Sequence, residues 1–279
     1  MKINYKNFNK FNSKRNFQEG GKRINKNYKK KPPFFSIITT VKNNKDKLEK
    51  TIKSLNTQSF KNFEHIIIDA GSTDGTLDLI RKHEKKIDYW VSRNDKGIYH
   101  GFNDGIKLAR GKIIGIINSG DLYTKNSLKI VWQYFRKPKI DFIFGAVKKK
   151  KILSNYSPKK IHWSFNFYPA HSSGFFLKNT AQKKIGLYDT SFKCSADYDL
   201  FMKMLLKNKM SGTSTKKNEL VGIFEMGGYS QKITMIEHIF EEARIRIKNK
   251  QNVFYVLVLS FLRIIRNFYQ LGLFQFLKK

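Results

Sequence analysis

The chain has 279 residues, enough for one sizeable domain with appendages, and 40% hydrophobic residues with 24 Phe suffice to build a core. Its 55 Lys and Arg against 21 Asp and Glu give a net charge of +34, a surface that attracts nucleic acid, anionic lipid or phosphorylated small molecules without choosing among them. A single cysteine, Cys194, excludes a disulfide framework and a metal site of the Cys/His type, and fits a reducing compartment.

Residues 1–31 are rich in Lys and Asn and almost free of aliphatics. They bury too little apolar surface to offset the entropy of ordering, so a disordered basic tail is expected. They hold no apolar run of the kind a secretory signal needs, which points to the cytoplasm, peripheral on the inner face of the cell membrane if the C-terminal segment tethers the chain. Pro32-Pro33 punctuates the start of the fold. The expected organisation is the tail over 1–31, a domain over 32–232 and a helical segment over 233–279.

Beyond Pro33, strands and helices alternate. "FFSIITTV" (34–41) reads as a buried strand, and 46–58 as a helix with Leu48, Ile52 and Leu55 in one stripe. "FEHIIID" (63–69) is a second strand. Asp74 is placed to cap a helix that turns Leu77, Leu79 and Ile80 inward. "DYWVS" (88–92) is a third strand, and Phe102, Ile106 and Ala109 stripe a helix ending at Gly111. "KIIGIIN" (112–118) is a strand, 127–137 a helix, and "DFIFGAVK" (141–148) a strand. Later come a strand over 171–178, a helix over 196–208, a strand over 219–228 and a helix over 233–250 striped by Ile236, Phe240, Ala243 and Ile247. This order predicts the α/β class, a mainly parallel Rossmann-like sheet flanked by helices, with amphipathic helices at the C-terminus. In the last segment the uncharged apolar run from Val253 to Leu262 is about half a bilayer span. Its aromatics and flanking cations suit a helix lying in an anionic membrane interface, or one packed on the domain.

Ligands of such sheets bind beyond the carboxyl ends of the strands. Three polar segments fall there: "DAGSTDGT", "SRNDKGIYHGFNDG" and "NSGD". Each also suffices as a turn, but three acid-bearing turns on one sheet edge favour a site. Asp69, at a strand tip, can accept a hydrogen bond from a nucleobase N–H or a ribose hydroxyl, and Gly71 lets backbone approach a flat ligand. Asp74 is explained as a helix cap. A P-loop motif is absent from the sequence. In "NSGD", Asp121 stands with Asn118 and Gly120. A hard divalent cation that keeps its waters needs only one or two protein carboxylates plus phosphate oxygens from a substrate; a turn cap explains the same spacing equally well. His65, His83, His100, His162 and His238 show no metal-ligand spacing.

Taken in order, these blocks resemble family 2 glycosyltransferases, which have the GT-A fold. Residues 34–76 look like the start of that family, "DKGIYHGFNDGIKLARGKIIGIINSGD" like its next block in members serving bacterial surface-polysaccharide synthesis, and "HSSGFFLK", "SFKCSADYDLFMKM" and "FEMGGYS" like its later ones. The resemblance spans residues 34–245. It implies an inverting transferase moving a sugar from a nucleoside-diphosphate sugar to a glycan or lipid-linked acceptor, with Mn²⁺ or Mg²⁺ as cofactor. By position it implies backbone contacts to the base at Thr39 and Val41 and base reading by Asp69. Asp95, Lys96, Gly97 and Asn103 would lie beside the nucleotide-sugar, with Asn118 and Gly120 in the metal motif. It implies metal binding by Asp121, and Asp197 as catalytic base. On the acceptor side it places His171, Gly227 and Gly228.

Departures from the family pattern stand at Asn118 and Gly120, which leave one carboxylate where others have two or three. Phe102 occupies a position often held by Arg, so that a phosphate contact falls to Lys96. Ala196 replaces a Glu, and Ala70 replaces a second Asp. Two other readings stay open on the sequence: a catalytically silent nucleotide-sugar binder, suggested by the thinned metal motif, and a basic nucleic-acid binder. No recognised nucleic-acid module supports the latter, and no specific nucleic acid is expected as a partner.

Overall fold

A computed structural model describes residues 17–25, 28, 31–137, 139–163, 172–225 and 234–270, the last four by backbone alone. The chain divides into two compact units that interleave along the sequence: 1–157, 168–187 and 210–226 form the first, and 158–167, 188–209 and 227–279 the second.

The described strands all belong to the first unit. They are β1 (Gln18–Gly20), β2 (Phe35–Val41), β3 (Phe63–Asp69), β4 (Tyr89–Ser92), β5 (Ile113–Ile116), β6 (Leu122–Tyr123), β7 (Phe142–Phe144), β8 (Ala146–Lys148), β9 (Ile152–Leu153), β10 (Phe175–Lys178), β11 (Gly212–Ser214) and β12 (Leu220–Ile223). Eight form one sheet in the order β1-β4-β3-β2-β5-β10-β7-β11, and four a smaller one in the order β6-β12-β8-β9. Strands β4, β3, β2 and β5 run parallel; β10 enters antiparallel between β5 and β7. The parallel strands are buried almost throughout and rich in Ile, because helices cover the sheet and leave no solvated face.

Leu48, Ile52 and Leu55 are buried on the helix Lys45–Asn56. Leu48 and Ile52 meet Leu79 and Ile80 of the helix Thr76–Lys82 over Val41, Ile67 and Trp90. The helix striped by Phe102 and Ile106 runs Ile98–Leu108 and stops short of Gly111. The strand expected over 141–148 is two strands, β7 and β8, and the chain passes from the large sheet to the small one at Gly145. The small sheet was not foreseen: its strands are two to four residues long, too short to show a period.

The expected disorder of 1–31 does not hold for residues 17–25. Strand β1 pairs antiparallel with β4, Gln18 opposite Ser92 and Gly20 opposite Trp90. Arg23 then reaches the fully buried Glu64 at 3.4 Å and the Leu108 carbonyl at 3.0 Å. Glu64 also accepts from the Ser36 hydroxyl at 2.6 Å and from the Arg110 backbone and guanidinium. Composition speaks only for aliphatic burial; here an open sheet edge and a buried ion pair with satisfied hydrogen bonds supply the ordering energy.

In the second unit, the helix Ala196–Met202 continues as a wider-turned segment, Lys203–Lys207. A capping box of Thr234 and Glu237 opens the helix Met235–Lys248. Its inward face carries Ile239, Glu241, Ile245 and Arg246, while the expected core stripe residues Ile236, Phe240 and Ile247 are exposed. Periodicity marked an apolar face without saying which way it turns. The inward polar groups are satisfied: Glu241 accepts the backbone N–H groups of Lys193, Cys194 and Ser195, and Arg246 donates to the His162 carbonyl. The helix Val253–Gln270 buries Val256 and Leu259 and exposes Phe254, Leu257, Phe261 and Ile265. Among the described residues, no helix is long and apolar enough to cross a membrane.

His65 on β3 is buried with its Nε2 2.9 Å from Thr39 Oγ1. Burial pushes its pKa from 6.5 down to about 4, with Asp88 opposing and Lys22 assisting. Below the unfolded value the unfolded chain binds a proton that folded His65 refuses. Its stability contribution is therefore full above pH 6.5 and is lost as pH falls toward about 4. The loss amounts to about 3 kcal/mol. Denaturant unfolding across that window, compared with His65→Asn, should show a steeper acid loss in the unmodified chain.

Candidate functional site

In the parallel register Val41, Asp69 and Ser92 lie side by side, and Ile38 pairs with Ile116. The loops after β2, β3, β4 and β5 therefore leave from one edge of the sheet. Side chains bind these loops together. Asn43 Oδ1 accepts the Thr73 N–H at 2.8 Å, and the Asn43 N–H donates to Ser72 Oγ at 2.8 Å. Asn44 donates to the carbonyl and the hydroxyl of Ser119 at 3.2 and 3.0 Å. Asp74 accepts from the Lys45 N–H, and from the Thr76 N–H and hydroxyl. Burial raises its pKa, but these hydrogen bonds outweigh that and leave the carboxyl below its ordinary value. It thus holds the start of the helix, as its spacing suggested, with Gly75 in the formal cap position.

Asp69 ends β3 with its carboxylate buried. It accepts from the Ser72 N–H at 3.1 Å, the Ser72 hydroxyl at 2.5 Å and the Ser92 hydroxyl at 2.6 Å. Gly71 turns the chain at φ 72°, and a Cβ there would lie 2.3 Å from Asn94 Oδ1. An open cleft of about 460 Å³ lies beside this turn, with Gly71, Ser72, Ser92, Arg93 and Asn94 in its walls.

The "NSGD" turn is held from all sides. The Asp121 N–H returns to the Asn118 carbonyl at 3.0 Å. Thr51 accepts the Gly120 N–H and donates to the Asp121 carbonyl, both at 2.9 Å. Asn118 accepts from Thr40 Oγ1 at 3.3 Å and donates to Ser172 Oγ at 3.1 Å. Asp121 is buried, and its Oδ1 accepts the Glu225 N–H at 3.2 Å. The sequence blocks "HSSG" and "FEMGG" thus reach this turn through Ser172 and Glu225.

In the loop after β4, Asp95 accepts the Gly97 N–H at 3.0 Å. Burial raises its pKa, against the pull of that N–H and the charges of Lys42 and His100. Lys96 and Gly97 are exposed, and Asn103 is buried on the following helix. Phe102 is buried with its ring edge-on to Tyr99 at 5.7 Å, so this position serves the core. Thr39 is fully buried with its hydroxyl hydrogen-bonded to His65 Nε2, and the Val41 carbonyl is taken by the Ala70 N–H.

Asp197 lies in the second unit, in the first turn of its helix, half-exposed between buried Ala196 and Tyr198. Its Oδ1 accepts the Tyr198 N–H. The neighbouring acid, Asp199, is buried and pairs with Lys203 at 2.6 Å and with Asn249. One of the two acids in "SADYDL" is thus buried and paired, and the other is partly exposed. His171, Gly227 and Gly228 lie outside the described residues.

The donor set can be tested against a metal. No group of three or more His, Cys, Asp or Glu suited to a metal occurs among the described residues. Asp121 is a single carboxylate, with one oxygen turned to Glu225 and with Asn118 engaged by Thr40 and Ser172. That set fits a hard cation that takes most of its ligands from water and phosphate oxygens, and does not fit a closed protein cage.

Reasoning from sequence missed Thr40, Asn44, Thr51, Ser172 and Glu225. Thr51 carried a signal, a polar residue on the apolar stripe Leu48–Ile52–Leu55. The others carry no local signal, because each bonds to a partner distant in sequence.

A model of the family described as "Glycosyl transferase family 2" matches residues 36–205. An uncharacterised glycosyltransferase of Mycobacterium tuberculosis is 28% identical over 183 residues, 62% of this chain and 70% of that one. One from Rickettsia prowazekii is 27% identical over 240 residues, 74% of each chain. TuaG of Bacillus subtilis, whose name places it in teichuronic acid biosynthesis, is 30% identical over 115 residues, 40% of this chain and 46% of that one. Among solved structures, S. aureus TarS in complex with UDP-GlcNAc matches at TM-score 0.61 and 18% identity, covering 84% of this chain and 72% of that one. The mannosyltransferase PcManGT of Pyrobaculum calidifontis, with GDP-Man and Mn²⁺, matches at 0.58 and 14%, covering 94% and 81%. At these identities the structural matches establish the fold, which is GT-A.

Gly71→Ala places a Cβ against Asn94 in a left-handed turn. It should lower stability by about 1–3 kcal/mol. Denaturant midpoints check this; an unchanged midpoint would show that the turn relaxes freely.

Proposed function

The chain belongs to glycosyltransferase family 2, and on that premise we propose that it moves a sugar from a nucleoside-diphosphate sugar to a hydroxyl of a glycan or lipid-linked acceptor, with inversion, in building a bacterial surface polysaccharide. The observation that carries the reading is the alignment of Asp69 and the Asn118–Asp121 turn on one edge of the parallel sheet, the edge where such sheets bind ligands. Asp69 and Gly71 face the nucleoside; Asp95, Lys96, Gly97 and Asn103 line the side of the diphosphate and sugar.

Asp121 would be the protein ligand of a divalent cation, which when bound offsets charge on the departing diphosphate. Asp197 takes the proton of the attacking acceptor hydroxyl. Its partial exposure suits that role, whereas Asp199 is neutralised by Lys203. The anomeric centre passes through an oxocarbenium-like state, with an alcohol in place of the water of glycoside hydrolysis. A single displacement inverts the configuration, and the chain offers no second carboxylate assigned as nucleophile. The place in polysaccharide synthesis is supported by the likeness to TuaG, and the acceptor class by the family resemblance of the motif blocks alone.

A second reading, a silent nucleotide-sugar binder, is favoured by one observation: the turn carries a single acid, already accepting the Glu225 N–H. Transfer assays with Mn²⁺ or Mg²⁺ separate the two. Asp197→Asn should lower kcat by about 10²- to 10⁴-fold while nucleotide affinity is kept. Asp121→Ala should raise the metal concentration needed for activity. Full activity in both variants would sink the mechanism, and tight binding without turnover in the unmodified chain would favour the silent binder.

We also assign peripheral membrane contact to the exposed stripe Phe254, Leu257, Phe261 and Ile265, on a chain of net charge +34. Deleting residues 251–279 should release the protein from anionic vesicles in a flotation assay. Retained binding, with the tail 1–16 also removed, would refute this assignment.

A further inference from the structure

We propose that the N-terminal segment Phe17–Ile24 is part of the donor site, with Phe17 forming an aromatic wall for the nucleobase. This rests on the donor reading above and goes beyond it, since the family resemblance begins only at residue 34. Phe17 and Gln18 share the walls of the open cleft beside the Asp69 turn with Gly71, Ser72 and Asn94. Gln18 pairs in register with Ser92, whose hydroxyl donates to Asp69. The segment therefore runs along the residue that orients the proposed base-reading carboxylate.

The segment is built to stay in place. Gly20 lies where any Cβ would fall 2.1 Å from Glu84 and 2.5 Å from Trp90. Gly21 turns the chain at φ 98°, close against the backbone of Asp88 and Tyr89. The Gly21 N–H donates to Glu84 at 2.8 Å, the Tyr89 hydroxyl binds Glu19, and Arg81 binds Gln18. Arg23 is held between the buried Glu64 and the Leu108 carbonyl. An extended surface tail needs none of these constraints. They fix the position of Phe17, a half-buried ring directly before the strand, in the wall of a cleft that it shares with Gly71, Ser72, Leu77, Arg93 and Asn94. A flat heteroaromatic ring is the ligand class that such a wall suits, because stacking on an aromatic face is tolerant of base identity. Asp69 supplies direction and Phe17 supplies contact area.

The test is calorimetric titration of the full chain with a panel of nucleoside diphosphates in Mn²⁺, with inorganic pyrophosphate as the base-free probe. Phe17→Ala should weaken nucleoside diphosphate binding by about tenfold or more. It should leave pyrophosphate binding unchanged, and Phe17→Tyr should restore the nucleotide affinity. Unaltered nucleotide affinity in Phe17→Ala overturns this inference alone. An equal loss for pyrophosphate also overturns it, because the effect would then not pass through the base. Absence of nucleotide binding by the unmodified chain overturns the donor reading and this inference with it.

Discussion

A parallel sheet covered on both faces can offer polar side chains to a ligand only at its ends, because those within it must be satisfied internally, as Thr39 and His65 are by each other. That constraint organises the first unit of this protein. Ile37, Ile38, Ile66, Ile67 and Val91 are fully buried along β2, β3 and β4; the polar groups among them, Ser36, Thr39, Glu64 and His65, are engaged inside the fold, so groups able to meet a ligand come where the strands leave the sheet. The shared register of Val41, Asp69 and Ser92 delivers those groups to one line. Because of that alignment the short polar loops lie close enough to hydrogen-bond one another, and together they form a continuous polar rim.

The rim is cross-linked largely by neutral side chains. Asn43, Asn44, Thr51 and Ser72 satisfy backbone groups of loops about thirty or more residues away, and Asn118 is held by Thr40 and Ser172. Such bonds each contribute modestly, about 1 kcal/mol, but a buried polar group left without one costs more. The two carboxylates assigned to the donor, Asp69 and Asp121, are therefore held in position before any ligand arrives. Preorganised groups of this kind lose little freedom on binding, which is how a site with few charged residues can still hold a diphosphate.

Much of this was legible in the sequence, where local chemistry dictates local structure. Leu48, Ile52 and Leu55 repeat at helical spacing because the helix has one buried face, and "FEHIIID" reads as a strand because β3 is buried on both sides. Asp69 and Asp121 stood out as acids at strand tips. The hidden features depended on long-range pairing. Nothing local in "QEGGKR" shows that it meets an open edge of β4, or that Arg23 finds Glu64 forty-one residues away. The small sheet, assembled from pieces as distant as Leu122 and Ile223, leaves no periodic trace. In the helix Met235–Lys248 the stripe was real, yet its residues Phe240 and Ile247 point outward, since Glu241 and Arg246 find partners inside and period alone carries no direction.

Sugar transfer by a single displacement at the anomeric carbon is the central claim. Proton NMR of the product formed from an α-linked nucleoside-diphosphate sugar reads it directly, through the coupling constant at the new anomeric centre. The expected result is a β-linked product, the inverted configuration. An α-linked product, formed with retention, would contradict the claim, because it would require a nucleophile or an internal-return route that none of the assigned residues provides.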